Sequence, residues 1–185
     1  MIFWNVFAFI FGAAIGSFLN VCIYRLPAKE SIIKPLSRCP HCKNLIRFYD
    51  NIPIISFLIL KGKCRDCGGK ISWRYPLVEL ITGVFFLLLF LKFGVSLQFL
   101  AVFAFTAVLI VITFIDLDHQ IIPDVLTLPG IPIFLLAGIF IMKVPWQETL
   151  IGLLVGGGVL FIIAFVYEAI TKREGMGGGD IKLLG

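Results

Sequence analysis

Long apolar runs alternate with short polar breaks along most of the chain. Ile2–Tyr24, Leu77–Phe93, Leu97–Ile115, Val125–Met142 and Thr149–Ile170 each approach or exceed the roughly 20 residues that carry an α-helix across a bilayer. The pattern predicts an all-α polytopic membrane bundle with a small domain inserted between its first and second helices. Residues 1–24 form the first helix, 25–76 the inserted domain and 77–185 the remaining bundle, with helices over about 77–93, 97–115, 125–142 and 149–170. The first run lacks a basic leading segment and an A-x-A site and is too long for a signal-peptide core, so it reads as a retained helix. Gly12-x-x-x-Gly16 and Gly156–Gly158 place small residues where helices pack closely. Pro129 and Pro132 each remove a backbone donor and are expected to bend or delay the fourth helix.

Composition supports the membrane assignment. The 185 residues are 59% hydrophobic with 19 Phe, and mean hydropathy is +1.03, where a soluble domain is about half apolar. Charge then orients the chain. Of 16 Lys and Arg, 11 lie between Arg25 and Arg74, which makes that segment cytoplasmic by the positive-inside rule. Alternation puts the N-terminus and Lys143–Glu148 outside, and Asp116–Asp124 and Thr171–Asp180 inside. A basic juxtamembrane segment sets topology and meets anionic lipid, so no nucleic-acid partner is expected.

Cys39-Pro-His-Cys42 and Cys64-Arg-Asp-Cys67 form two C-x2-C knuckles separated by 21 residues. Four thiolates at that spacing suit one tetrahedral Zn²⁺. The gap slightly exceeds the usual range, and a hairpin between the knuckles is expected to absorb it. A reducing cytoplasmic setting disfavours disulfides, and a segment this short gains from a metal staple. A closed four-thiolate site is structural, with no open position for a substrate. Cys22 reads as a packing residue of the first helix and His41 as a surface residue rather than a ligand.

Carboxylates near membrane helices are costly enough to need a reason. Asp124 follows Pro123 before a helical run, so N-capping is its expected role. Asp118 and His119 fall in a short inner loop, and Glu168 has Lys172 four residues on, an ordinary ion pair. Glu79, about one turn into the second helix, is either a functional carboxylate or the partner of a basic-segment Arg. Asp116 ends an uninterrupted apolar helix, and Asp180 follows Gly177-Gly178-Gly179, an irregular stretch open to close backbone approach. Two such carboxylates brought together would share a proton, one acting as base on a water and the other as acid toward a leaving amine. Spacing alone does not bring them together.

The motifs GSFLNVCIYRLP (Gly16–Pro27), CPHC…NIPIISFLILKGKCRDCGGKISWRYPLVE (Cys39–Glu79), IDLDHQIIPDVLTLP (Ile115–Pro129) and GGGD (Gly177–Asp180) occur in order. In these the chain resembles the type IV prepilin peptidases, GxGD aspartic membrane proteases that also act as N-methyltransferases. The likeness covers essentially the whole chain. It implies catalysis by Asp116 and Asp180, with Gly177 and Gly179 as the motif glycines. It also implies a prepilin or pseudopilin substrate cut at the cytoplasmic face of a bacterial inner membrane, and S-adenosylmethionine as donor for methylating the new N-terminus. Gly62 and Glu79 match family positions in the methyl-transfer region. The family continues past GxGD with further helices, so a chain stopping five residues after Asp180 is expected to be a truncated form. A non-enzymatic zinc module docking a partner in a secretion machine also accounts for the cysteines, though not for two aspartates on one membrane face. A proton-coupled transporter is disfavoured because its carboxylates belong at the midplane.

Overall fold

The computed structural model describes residues 2–34, 36–171, 179, 182 and 183. Six α-helices follow in order: α1 (Ile2–Arg25), α2 (Ile55–Ile59), α3 (Arg74–Phe93), α4 (Leu97–His119), α5 (Asp124–Phe140) and α6 (Trp146–Thr171). A 3-10 turn at Phe48–Asn51 precedes α2. Among the described residues the only pairings of strand type are two isolated antiparallel bridges, Arg38 with Leu45 and Lys63 with Lys70. Helices α1, α3, α4 and α6 are long and apolar enough to cross a membrane. Helix α5, at 17 residues, spans about 25 Å and falls short of the bilayer-crossing length expected for it.

Two compact units divide the chain, Met1–Phe114 and Ile115–Gly185. In the first, α1 and α3 meet through glycine. A Cβ added at Gly16 would lie 2.8 Å from Glu79 Cα, one at Gly12 would run into Phe86 Cβ, and one at Gly83 would lie 3.1 Å from the Phe9 carbonyl. The Gly12-x-x-x-Gly16 stripe is therefore a contact surface where two backbones approach closely, the usual route to tight packing inside lipid. Ala8, Phe86, Phe99 and Phe103 continue this core onto α4, with Phe86 edge-on to Phe99 and Phe103 at 4.9 and 4.8 Å between centroids. Cys22 is buried in α1, as a packing residue should be. Between α3 and α4, Gly94 turns at φ 60°, and the Ser96 hydroxyl accepts the Phe99 N–H at 3.1 Å, capping α4.

In the second unit, α5 starts at Asp124 and runs through both Pro129 and Pro132, so the prolines do not delay it. Helix α4 continues to His119, which places Asp118 and His119 in its last turn and not in a loop. The helix closes when the Gln120 N–H bonds the Asp116 carbonyl at 2.8 Å, with Gln120 in the left-handed region at φ 53°. Asp124 is not an N-cap: Pro123 holds that position, and Asp124 is the first helical residue. No heavy atom lies within 4 Å of a Cβ added at Gly158, so that residue of the Gly156–Gly158 run faces open space. Large apolar side chains stand exposed along α6, among them Leu154, Phe161, Ile162 and Phe165, as lipid-facing residues do. The expected Glu168–Lys172 pair lies outside the described residues.

Gly16→Ala should lose about 1–3 kcal/mol of stability, because its methyl meets backbone that cannot yield. Gly158→Ala should be neutral or slightly stabilising. Unfolding of both variants in detergent by SDS titration checks the contrast.

Candidate functional site

Each cysteine pair sits on a tight knuckle of the same construction. The Cys39 N–H bonds the Asn44 carbonyl and the Lys43 N–H returns to the Cys39 carbonyl, both at 2.9 Å. In the second knuckle the Cys64 N–H bonds Gly69 O at 2.8 Å and the Gly68 N–H bonds Cys64 O at 2.9 Å. The two bridges close these turns, and Gly68 takes the left-handed conformation at φ 69°. The linking segment is the 3-10 turn and α2, not the hairpin expected. Pro53 supplies no N–H for a ladder, and the apolar Ile-Ser-Phe-Leu-Ile run coils to bury Phe57 against Trp73, 4.8 Å between ring centroids.

The knuckles bring the Sγ atoms of Cys39, Cys42, Cys64 and Cys67 within 4.8 Å of one another, with Cys39 and Cys67 at 3.9 Å. A tetrahedron of 2.3 Å Zn–S bonds has edges of about 3.8 Å, so small shifts fit the set to zinc. The electrostatics agree. Burial pushes the Cys39 thiol up, but hydrogen bonds with the Cys42 and His41 backbone and the Cys64 and Cys42 thiols outweigh it and bring it to about 6. The Asn44 backbone favours the Cys42 thiolate, yet burial and the thiols of Cys39, Cys67 and Cys64 push it up to about 12. An easily ionised Cys39 beside a Cys42 held protonated by its neighbours suits a set of ligands that a cation would complete. His41 is exposed and its Nε2 lies 3.3 Å from the Lys70 carbonyl, the surface role expected of it.

Asp50 takes a two-pronged contact from Arg65, Nε to Oδ2 at 2.9 Å and Nη2 to Oδ1 at 2.6 Å, tying the 3-10 turn to the second knuckle. That guanidinium holds the Asp50 carboxyl below its usual range. The contact therefore stabilises the domain above the unfolded carboxyl pKa of about 4, and the stabilisation is lost as pH falls through the lower folded value.

The domain docks on the ends of α1 and α3. Buried Glu79 accepts the Ile54 N–H on Oε2 at 2.7 Å, holding a β-branched residue at φ 62°, a conformation that needs support. The Asn20 Nδ2 donates to the Tyr75 carbonyl at 3.0 Å, and Arg25 Nη1 donates to the Ser31 carbonyl at 2.8 Å. A cavity of about 710 Å³ lies between the helix ends and the knuckles, its wall including Ser17, Asn20, Arg25, Cys39, Phe57 and Glu79. Gly62 stands behind that wall at φ 67°, where a Cβ would come within 3.0 Å of the Phe57 ring. Both conformation and space exclude larger residues there.

In the second unit Asp116 is exposed at the end of α4. Asp180 and Gly177 lie outside the described residues, and so does any contact between Asp116 and Asp180. Their neighbours are described. A Cβ on Gly179 would lie 2.8 Å from Ile122 Cβ, and Lys182 Nζ bonds Asp124 Oδ1 at 2.7 Å. Residues on both sides of Asp180 therefore touch the segment that follows Asp116. Asn20, Ile122 and Lys182 were not singled out from the sequence. Lys182, two residues past the motif aspartate, was the one whose charge offered a signal.

Fold and site together define a polytopic helical membrane protein with a four-cysteine metal-type domain inserted after its first helix. Residues 10–93 match the bacterial peptidase A24 N-terminal domain and residues 103–185 the type IV leader peptidase family. A prepilin leader peptidase/N-methyltransferase of Neisseria gonorrhoeae is 42% identical over 96% of this chain and 70% of its own length. One from Myxococcus xanthus is 40% identical over 95% of this chain and 52% of its own. A type 4 prepilin-like proteins leader peptide-processing enzyme of Escherichia coli is 41% identical over 96% and 73%. The chain belongs to the type IV leader peptidase family. It spans about half to three quarters of the length of these relatives. No solved structure matches it.

Cys39→Ser or Cys64→Ser should release bound zinc to a chromogenic chelator and unfold the inserted domain, while Cys22→Ser retains the metal. Asp50→Asn should remove the acid-sensitive part of the domain's stability, flattening the fall of its thermal midpoint as pH is lowered from about 4 through the depressed folded value of the Asp50 carboxyl.

Proposed function

We propose that this chain cleaves the basic leader of prepilins or pseudopilins and methylates the new N-terminus, a reading supported by relatives named prepilin leader peptidase/N-methyltransferase. Asp116 and Asp180 form the cleaving pair. One carboxylate takes a proton from the attacking water while the other protonates the departing amine, so the peptide C–N bond breaks as the C–O bond forms. The observation that carries this reading is the pair of contacts flanking Asp180, Gly179 on Ile122 and Lys182 on Asp124. Both draw the motif toward the end of α4, and neither needs Asp180 itself. Gly179 has no Cβ to hold the two segments apart, and Gly177 is the other glycine of the motif. The exposed Lys182–Asp124 pair adds little stability and acts as a tether.

The four-cysteine cluster holds Zn²⁺ as a structural staple, its thiolates leaving no open coordination position. S-adenosylmethionine supplies the methyl group when bound. Methyl transfer takes place in the cavity under the knuckles, with Glu79 in its wall and Gly62 supporting it. The protein is an inner-membrane enzyme with its N-terminus outside, and the inserted domain and both aspartates on the cytoplasmic side, where a basic leader is retained. The relatives' names disfavour a purely docking role.

Asp116→Asn and Asp180→Asn should each lower leader cleavage by at least about a hundredfold, with zinc content unchanged, in a detergent assay resolving precursor from mature peptide. Wild-type rates in either variant contradict the pair.

A further inference from the structure

A residue in the wall of the cavity under the knuckles carries a buried polar atom with no partner among the described residues. Asn20 is 3% exposed, its Nδ2 is fixed on the Tyr75 carbonyl, and its buried Oδ1 has no hydrogen-bond partner among the described residues. Flipping the amide would set Oδ1 against the Tyr75 carbonyl oxygen, so the hydrogen bond itself fixes which atom is free. A buried acceptor left unpaired costs about 1–3 kcal/mol and is met by a ligand or water that donates.

Its neighbours are acceptors as well. Ser17 lies one turn before Asn20 on α1, and Glu79 one turn after Tyr75 on α3. Gly16 brings the two turns together, since its Cβ would touch Glu79 Cα and the Thr82 side chain. All three side chains line the cavity, with Ser17 close enough to the Glu79 carboxylate to favour its charged form. Ile54 N–H takes one lone pair on Oε2, and a carboxylate offers about four such sites. Capacity therefore remains on Glu79, in the same cavity wall as Asn20.

A primary ammonium presents three N–H donors and one positive charge, which this arrangement of two acceptors and a hydroxyl complements. We propose that Asn20 Oδ1, Glu79 and Ser17 form a binding site for a primary ammonium group, with Asn20 as its orienting acceptor. The proposal rests on the reading that methyl transfer occurs in this cavity. Two ligands of that reaction carry the group: the new N-terminus of the cleaved peptide and the amino-acid end of the methyl donor.

The test measures binding directly, with zinc-loaded protein in detergent. Titrations of wild type, Asn20→Ala and Asn20→Asp use S-adenosylmethionine and a leader-free peptide with a free N-terminus. Each is paired with its analogue lacking the amine, a deaminated sulfonium donor and an N-acetylated peptide. Asn20→Ala should weaken one of the two amines by roughly ten- to hundredfold, the value of a hydrogen bond to a charged group. It should leave the matching deaminated analogue unaffected, and the affected arm identifies the source. Asn20→Asp keeps an acceptor but loses the bond to Tyr75, so it should bind the amine as well as wild type or better, whereas a purely structural Asn20 requires it to fail. Affinities within twofold of wild type for both amines in Asn20→Ala overturn the site, as does equal weakening with and without the amine. If Asn20→Asp does not fold, Asn20→Ala decides alone. Because binding is read without turnover, absence of methyl transfer in the wild-type chain overturns the functional reading and leaves the ammonium site to be judged on its own titration.

Discussion

The close approach of α1 and α3 underlies the first unit. Gly12, Gly16 and Gly83 let two helical backbones touch where any side chain would hold them apart. In lipid, where apolar surfaces gain nothing from leaving water, such packing holds helices together. Everything the inserted domain needs follows from that contact. Glu79 faces the docking loop because Gly16 lets α3 come so near, and Asn20 reaches the Tyr75 carbonyl across the same junction. The cavity is the space left where the joined helix ends meet a domain too small to cover them.

The domain itself depends on charge more than on core. Phe57 is its main buried aromatic, and the four thiol sulfurs lie within 4.8 Å of one another. A metal on these thiols would couple binding to folding; the Asp50–Arg65 pair ties the 3-10 turn to the second knuckle, and the Ile54–Glu79 bond fixes the domain on α3. A cysteine domain placed between two spanning helices is held at the membrane surface by its own chain connections.

Residue types and local spacing made part of this legible. The two C-x2-C pairs revealed the four-cysteine cluster because each knuckle is a local turn, and the apolar runs revealed the helices because lipid requires every backbone group to be paired within the helix. Helix ends were harder. Asp118 and His119 continue α4 because Gln120 takes the left-handed closing position. Asp124 yields the cap position to Pro123 and pairs instead with Lys182, 58 residues along the chain. The linker between the knuckles coils rather than pairing because Phe57 finds Trp73 and the face of Gly62. Asn20 could not be singled out at all, since its free oxygen exists only once Tyr75, 55 residues away, fixes the amide.

The central claim is that the residue after Gly179 lies beside Asp116. It is tested most directly by Asp116→Cys/Asp180→Cys in zinc-loaded, Cys22→Ala protein, oxidised under mild conditions and cut between the two positions. The account predicts that the two Cα atoms come within the 4.4–6.8 Å range of a disulfide, so that the fragments stay joined until reduced. Fragments that separate freely without reductant, from protein that still holds its zinc, would contradict it.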